Sequence, residues 1–228
     1  MKIRWLGHAS FYLVTPQGVR VVTDPYGPDV SPAAQEVEAD LVTVSHEHWD
    51  HNYLQGVKGD PVVLRGLTAE GEGWNEVDAT LKDVHTYTVP TYHDEVRGEK
   101  RGKNAVFVLE IGDLRLVHLG DLGHLLDEEQ CRKIGRPDIL MVPVGGYFTI
   151  DAGEAWQIVE SLQPRLVLPM HYLTAGMRGF PIAGVDEFTS GRANVRHLGR
   201  GEVEVDKAGL PPETEVWVLS LREGTFRL

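Results

Sequence analysis

The sequence predicts a mixed α/β fold, and three observations carry that prediction. Short β-branched apolar runs recur along the chain and stop at turn residues. Two segments open with helix-capping signals, Asp127 ahead of Gln130 and Asp151 ahead of Glu154. Histidines and aspartates gather where the apolar runs stop, and strand ends are where α/β folds assemble their sites.

Taken in order, residues 2–6, 11–15 and 19–23 read as strands, the second and third joined as a hairpin through Pro16-Gln17-Gly18. Pro25 and Pro28 stop the third, because proline cannot continue a ladder. Asp24 at its end is open to two readings, a turn residue or an acceptor for a nearby loop or histidine. Residues 40–45 form a brief buried strand that runs into His46-Glu47-His48-Trp49-Asp50-His51. Residues 62–65 make another strand, 66–74 a loop, and 74–78 and 80–90 two more strands; His85 lies on the alternating pattern as a partly exposed strand histidine. Tyr92-His93-Asp94 again puts a histidine after a strand.

The loop 97–103 holds the basic cluster Arg97, Lys100, Arg101 and Lys103, which serves either as a solvated loop or as a collar for an anionic substrate. Residues 104–111 and 114–119 form a second hairpin around Gly112-Asp113 and lead into Gly120-Asp121-Leu122-Gly123-His124. Glycines on both sides let the Asp121 carboxylate and its backbone approach an ion closely. The helix opened by Asp127 is followed by a buried strand at 139–144. The helix at 151–162 carries Ala155, Ile158, Val159 and Leu162 on one stripe. Residues 165–170 are a strand that ends at His171; 174–181 reads as a loop beside it, and 194–198 and 213–221 as strands. No repeat or low-complexity stretch divides the chain, so residues 1–228 are expected to form one domain.

Composition bounds the function. A formal charge of −12 repels polyphosphate backbones and favours a small-molecule substrate over nucleic acid. Cys131 is the single cysteine, so no intrachain disulfide forms, and its setting is that of a semi-buried helix residue. Residues 1–8 lack the apolar stretch of a signal peptide and no run reaches membrane-spanning length; a cytoplasmic protein without membrane attachment is the expectation, with a homo-oligomer compatible with it.

The hexapeptide at 46–51 points to metal. Imidazole nitrogens and aspartate oxygens suit zinc and other divalent first-row ions. Ligands this crowded exceed what one ion with an open position draws from a single segment, which implies two ions. With His93, Asp121 and His171, ligand-type residues stand at four strand ends.

These residues, in this order, resemble the metallo-β-lactamase fold superfamily of metal-dependent hydrolases, whose His-x-His-x-Asp-His signature is present without a gap. The resemblance implies a four-layer αββα sandwich with its site at one edge between the sheets. It further implies His46, His48 and His93 on a first ion, Asp50, His51 and His171 on a second, and Asp121 bridging both. Asp24 matches an early aspartate that supports the metal loop without ligating. Gly7-His8-Ala9-Ser10-Phe11, the stretch 118–124, Pro143-Val144-Gly145-Gly146 and Met170-His171-Tyr172 are similar to a bacterial and archaeal group near the ascorbate-6-phosphate lactonases. Asp121 stands where the main zinc β-lactamases carry a cysteine ligand, which argues against β-lactam hydrolysis.

The resemblance implies two divalent ions, zinc first with Mn2+ or Fe2+ as alternatives, and a bridging hydroxide that cleaves a small anionic ester, lactone or phosphoester. Asp50, His8 and His124 are the candidates to protonate the leaving group, and Asp121 completes the catalytic set. The alternatives are iron-dependent oxygen or sulfur chemistry and RNA or DNA phosphodiester hydrolysis. Iron redox chemistry is disfavoured because the intact His48 stands where diiron relatives place an acid; nucleic-acid hydrolysis is disfavoured because that branch carries an extra domain and C-terminal motifs not found here. A binding module with a vestigial site is disfavoured because every ligand position is filled.

Overall fold

The computed structural model describes residues 1–177 and 179–221; Arg178, in the loop expected at 174–181, lies outside them. The strands are β1 (Lys2–Gly7), β2 (Ser10–Val14), β3 (Arg20–Thr23), β4 (Val37–Glu38), β5 (Leu41–Val44), β6 (Val57–Lys58), β7 (Val62–Arg65), β8 (Asp78–Leu81), β9 (Val84–Tyr92), β10 (Lys103–Ile111), β11 (Leu114–His118), β12 (Ile139–Pro143), β13 (Leu166–Met170), β14 (Val195–His197), β15 (Glu202–Glu204) and β16 (Glu215–Val218). The helices are α1 (Glu128–Ile134), α2 (Ala152–Leu162) and α3 (Asp186–Thr189), and a 3-10 turn covers Leu54–Gly56.

The larger strands form two sheets, one in the order β15-β1-β2-β3-β5-β7 and the other β14-β16-β13-β12-β11-β10-β9-β8. Alternation along the strands sorts side chains between two faces. Phe11, Leu13, Val21 and Leu41 enter the core between the sheets, while Val22, Val42 and Val44 point the other way and pack with Leu54 and Val57. The αββα sandwich thus has unequal outer layers. Helices α1 and α2 cover the eight-stranded sheet, whereas the 3-10 turn and the β4-β6 ribbon cover the six-stranded one.

Local chemistry explains the elements. Gly18, at φ 78°, closes the β2-β3 turn, where its N–H donates to Thr15 O at 2.9 Å. Both predicted capping boxes form, Asp127 with Gln130 on α1 and Asp151 with Glu154 on α2, each contributing about 1 kcal/mol. The stripe Ala155, Ile158, Val159 and Leu162 is buried, and Trp156 stacks on Phe188 of α3.

The expectation for 74–90 needs correction. Trp74 makes only an isolated bridge to Leu67, and the run from residue 80 is split into β8 and β9 at Lys82, whose φ of 53° turns the chain into a hairpin. The short strands β4, β6 and β15 and helix α3 carried too few residues to show periodicity.

Pairing directions position the site. β1, β3 and β5 run the same way in the first sheet, and β9, β11 and β13 run the same way in the second. The residues singled out from the sequence follow the carboxyl ends of these strands: His8, Asp24 and the hexapeptide in one sheet, His93, Asp121 and His171 in the other. No helix among the described residues is long and apolar enough to cross a membrane.

Candidate metal centre

The Asp121 carboxylate is the hub. Its Oδ2 lies 3.2 Å from His51 Nε2, 3.2 Å from His93 Nε2, 3.3 Å from His171 Nε2 and 3.9 Å from His46 Nε2. Around it donors gather in three overlapping groups, each with atoms within 4.8 Å of one another: His46, His48 and His93; His8, Asp50, His51 and His171; and Asp24, His46 and His51, the last joining the first two, which are the donor sets used below. The family resemblance implies a division of the hexapeptide after His48, with His8 outside both sets. Glu47 and Trp49 turn away from the cluster, Glu47 to Arg65 at 2.5 Å and Asn52 at 3.3 Å, and Trp49 into solvent.

Asp24 sets the chemistry of the hexapeptide. Fully buried, it accepts from Ser45 N at 2.8 Å, from the Ser45 hydroxyl at 2.5 Å and from His51 Nδ1 at 3.0 Å. A carboxylate only accepts, so His51 Nδ1 carries a proton. The single hydroxyl proton of Ser45 is committed to Asp24. His46 Nδ1, 2.9 Å from that hydroxyl, therefore donates to it. Both Nδ1 atoms thus hold protons, which directs ligand lone pairs to Nε2, one ring in each donor set.

The polar atoms fit divalent cations. His46 Nε2 and Asp121 Oδ1 are buried with no hydrogen-bond partner among the described residues, a costly state that a cation relieves. The nitrogen and oxygen donor set matches zinc, manganese or iron. From protein groups alone, burial would raise the Asp121 carboxyl, but the His171 and His51 rings beside it hold it well below the usual range. Burial would likewise lower His51, yet Asp121 and Asp50 hold it well above the ordinary histidine value. Burial followed by the neighbouring His51 pushes His46 well down, and burial followed by His171 pushes His8 down to about 4.

His8 and His124 separate. His8 is buried in the second donor set, with Nε2 3.1 Å from His51 Nε2 and 3.3 Å from Asp50 Oδ2. His124, expected among the proton donors, is a correction: its Nε2 accepts from the Tyr92 N–H at 3.1 Å and its Nδ1 faces Leu125 O at 2.8 Å, so both ring nitrogens are engaged in bracing the end of β9. His118 is structural, with Nε2 2.7 Å from Ala9 O.

Asn104 escaped the sequence reading because it sits inside β10 with no motif around it. Its Oδ1 accepts the Asp121 N–H at 3.0 Å, while its amide donates to Thr91 Oγ1 and Leu119 O, which fixes the loop that presents Asp121. Asp94 was seen only as a neighbour of His93; its carboxylate accepts from the backbone of Val96, Gly98, Lys100 and Arg101 and organises the basic loop. In that loop Lys100 pairs with Glu95, Lys103 lies over Trp74, and Arg101 lies over the Phe148 ring with no carboxylate partner among the described residues. Exposed Trp49, Leu125, Tyr147 and Leu173 sit on loops that leave β5, β11, β12 and β13.

Comparison with known proteins gives the family. A model of the β-lactamase superfamily domain matches residues 2–171. A UPF0173 metal-dependent hydrolase of Thermococcus onnurineus is 32% identical over 201 residues, covering 76% of this chain and 85% of the relative. One from Carboxydothermus hydrogenoformans is 32% identical over 242 residues, covering 90% of this chain and 100% of the relative. A crystal structure from Thermotoga maritima, described as that of a Zn-dependent hydrolase of the metallo-β-lactamase superfamily, is similar with a TM-score of 0.76 and 35% identity, covering 96% of this chain and 97% of that one. A metallo hydrolase from Ignicoccus hospitalis, 21% identical with a TM-score of 0.62 and covering 99% of both chains, shares the fold. With the signature residues gathered at the edge of a two-sheet sandwich, the chain belongs to the metallo-β-lactamase superfamily and, within it, to the UPF0173 family of metal-dependent hydrolases.

Proposed function

We propose that the protein is a dinuclear metal-dependent hydrolase acting on a small anionic ester, lactone or phosphoester. The observation that carries the reading is the convergence of histidine Nε2 atoms from both donor sets on one Asp121 oxygen, which supports a carboxylate shared by two ions. His46, His48 and His93 would hold one ion, Asp50, His51 and His171 the other, and Asp121 both. When bound, the ions supply an activated water at neutral pH and a Lewis acid for the scissile carbonyl or phosphoryl oxygen.

The chain's own groups do the rest. Asp24 and Ser45 hold His51 and His46 with Nε2 toward the site. Asp50, whose side chain is 15% exposed while Asp121 is 3% exposed, is the carboxylate of the cluster that reaches solvent, which supports it as the group that relays a proton toward the leaving group. Arg101 supports an anionic substrate, because its guanidinium stands on the loop beside His93 without a carboxylate to neutralise it. Trp49 and Tyr147 offer apolar surface on the loops around the site.

The test is metal analysis of purified protein joined to a hydrolysis screen of esters, lactones and phosphodiesters. About two equivalents of metal per chain are expected, with Asp121→Ala losing both metal and hydrolysis. A protein that stays metal-free after expression with zinc and manganese supplied, or a fully metallated protein silent across the screen, would sink the proposal.

A further inference from the structure

We infer that His8 is a ligand of the second ion, in addition to Asp50, His51, His171 and the shared Asp121; the inference rests on the two-ion reading above. Three observations lead to it. First, His8 is held in place at a backbone cost. It adopts φ 50° at the end of β1, a left-handed conformation uncommon for residues other than glycine though less so for histidine, asparagine and aspartate, and its carbonyl accepts from Trp5 Nε1 at 3.1 Å and from the His171 N–H at 3.0 Å. That second bond fixes His8 directly to a residue of the donor set on the opposite sheet.

Second, the imidazole has one polar direction. It is 1% exposed, its ring centroid is 4.4 Å from that of His171 and 4.7 Å from that of His51, and its other ring neighbours are Tyr26 and Phe180. Tyr26 meets it edge-on with ring centroids 6.0 Å apart, its hydroxyl donating to Leu6 O at 2.7 Å. Among the described residues His8 Nδ1 has no hydrogen-bond partner, which is also true of Nδ1 in His93 and His171. All three rings turn Nε2 toward the cluster.

Third, the separations are those of atoms that share one ion. Two donors each about 2.0–2.2 Å from a zinc-sized ion, at angles from octahedral to tetrahedral, lie about 2.8–3.6 Å apart. His8 Nε2 is 3.1 Å from His51 Nε2 and 3.3 Å from Asp50 Oδ2, within that span, while His51 Nε2 and Asp50 Oδ2 are 3.7 Å apart, just above it. A hydrogen bond accounts for one of these contacts, because Nε2 has one proton to give; a shared cation accounts for both. The consequence is asymmetry. The second ion gains an extra protein donor in a buried pocket, whereas the first depends partly on His48, which is exposed. The second ion should be the tighter one, leaving the first with more positions for solvent and substrate.

The test uses the full chain, loaded with Zn2+ or Co2+ alone, and compares wild type with His8→Gly and His8→Asn. Both residues tolerate the left-handed backbone, so the fold is expected to persist, as checked by circular dichroism. Affinities are read by competition with a chromophoric chelator, and cobalt coordination from the visible absorption. Loss of an outer partner costs about 10- to 100-fold in metal affinity. Loss of a ligand is expected to exceed that at the tight site, to change the cobalt bands, and to be reversed in His8→Gly by added imidazole. Wild type binding two ions while both variants keep the same cobalt spectrum, or lose affinity only within the outer-partner range without imidazole rescue, would overturn the His8 assignment and leave the two-ion reading standing. Wild type that binds fewer than two ions would overturn both.

Discussion

Replacing Asp24 by asparagine tests the tautomer argument with almost no change in shape. The carboxylate accepts three bonds, two on Oδ2 from the Ser45 hydroxyl and His51 Nδ1 and one on Oδ1 from the Ser45 N–H. An amide satisfies one side only. If its NH2 takes the Oδ2 position, it confronts His51 Nδ1–H, and His51 must move its proton to Nε2, the atom needed as a ligand. If its oxygen takes that position, the NH2 confronts the buried Ser45 N–H at about the 2.8 Å now occupied by a hydrogen bond. Either orientation leaves a buried donor unsatisfied at a cost of about 1–3 kcal/mol. Because Ser45 also orders His46, both donor sets lose orientation. Metal affinity should fall about 10- to 100-fold, which is about 1.4–2.7 kcal/mol at each site. The assay is chelator competition on the Asp24→Asn protein beside wild type, with urea denaturation of the metal-free forms to measure the structural cost separately. Unchanged affinity at both sites would refute the claim that Asp24 sets the ring protons.

Three further outcomes are expected. A Cβ on Gly123 would stand 2.3 Å from the His93 carbonyl carbon and 2.4 Å from Asp94 N, so Gly123→Ala should displace His93 and empty the site of His46, His48 and His93 first; metal analysis showing two retained equivalents would contradict this. Glu47→Ala should leave metal content intact, because Glu47 faces Arg65 and Asn52, while His48→Ala should reduce it. Asp40 ties β3 to β5 through paired bonds from the Arg20 guanidinium, which hold its carboxyl down at about 2 from 3.8. A depressed carboxyl stabilises the fold above its unfolded value and loses that contribution as the pH falls toward about 2. The shift corresponds to about 2 kcal/mol, reduced to about 1 kcal/mol by solvent because the side chain is 33% exposed. Asp40→Asn should therefore lower urea stability by about 1 kcal/mol at pH 7, and the gap to wild type should close below about pH 4; a gap independent of pH would exclude the ion pair as its source.

The hexapeptide was legible because its ligands are adjacent in sequence, and adjacency survives without knowledge of the fold. The same holds for the caps at Asp127 and Asp151, where signal and partner lie three residues apart. Asn104 was not legible: it acts on Asp121 across the β10-β11 pairing, and an asparagine in an apolar strand carries no local mark of that role. His124 misled for the opposite reason. Its place among glycines after a strand resembles that of a site residue, but the direction of its ring is set by the Tyr92 amide on another strand. The split at Lys82 was hidden because the flanking residues keep an alternating pattern through a turn that depends on a left-handed lysine.

What unites the cluster is that it joins two sheets at places where the backbone is under strain. His8, Asp24 and His171 all have positive φ, at 50°, 38° and 51°, and they close β1, β3 and β13. Such conformations cost about 1–2 kcal/mol each in ordinary residues and persist only where surrounding contacts over-determine them. Here the contacts are those of the site: Ser45 and His51 hold Asp24, and the His171 N–H on one sheet reaches the His8 carbonyl on the other. Strand pairing carries each donor only to the edge of its own sheet. At the ends of β1 and β13 the left-handed residues His8 and His171 then bring their rings together, centroids 4.4 Å apart, beside Asp121.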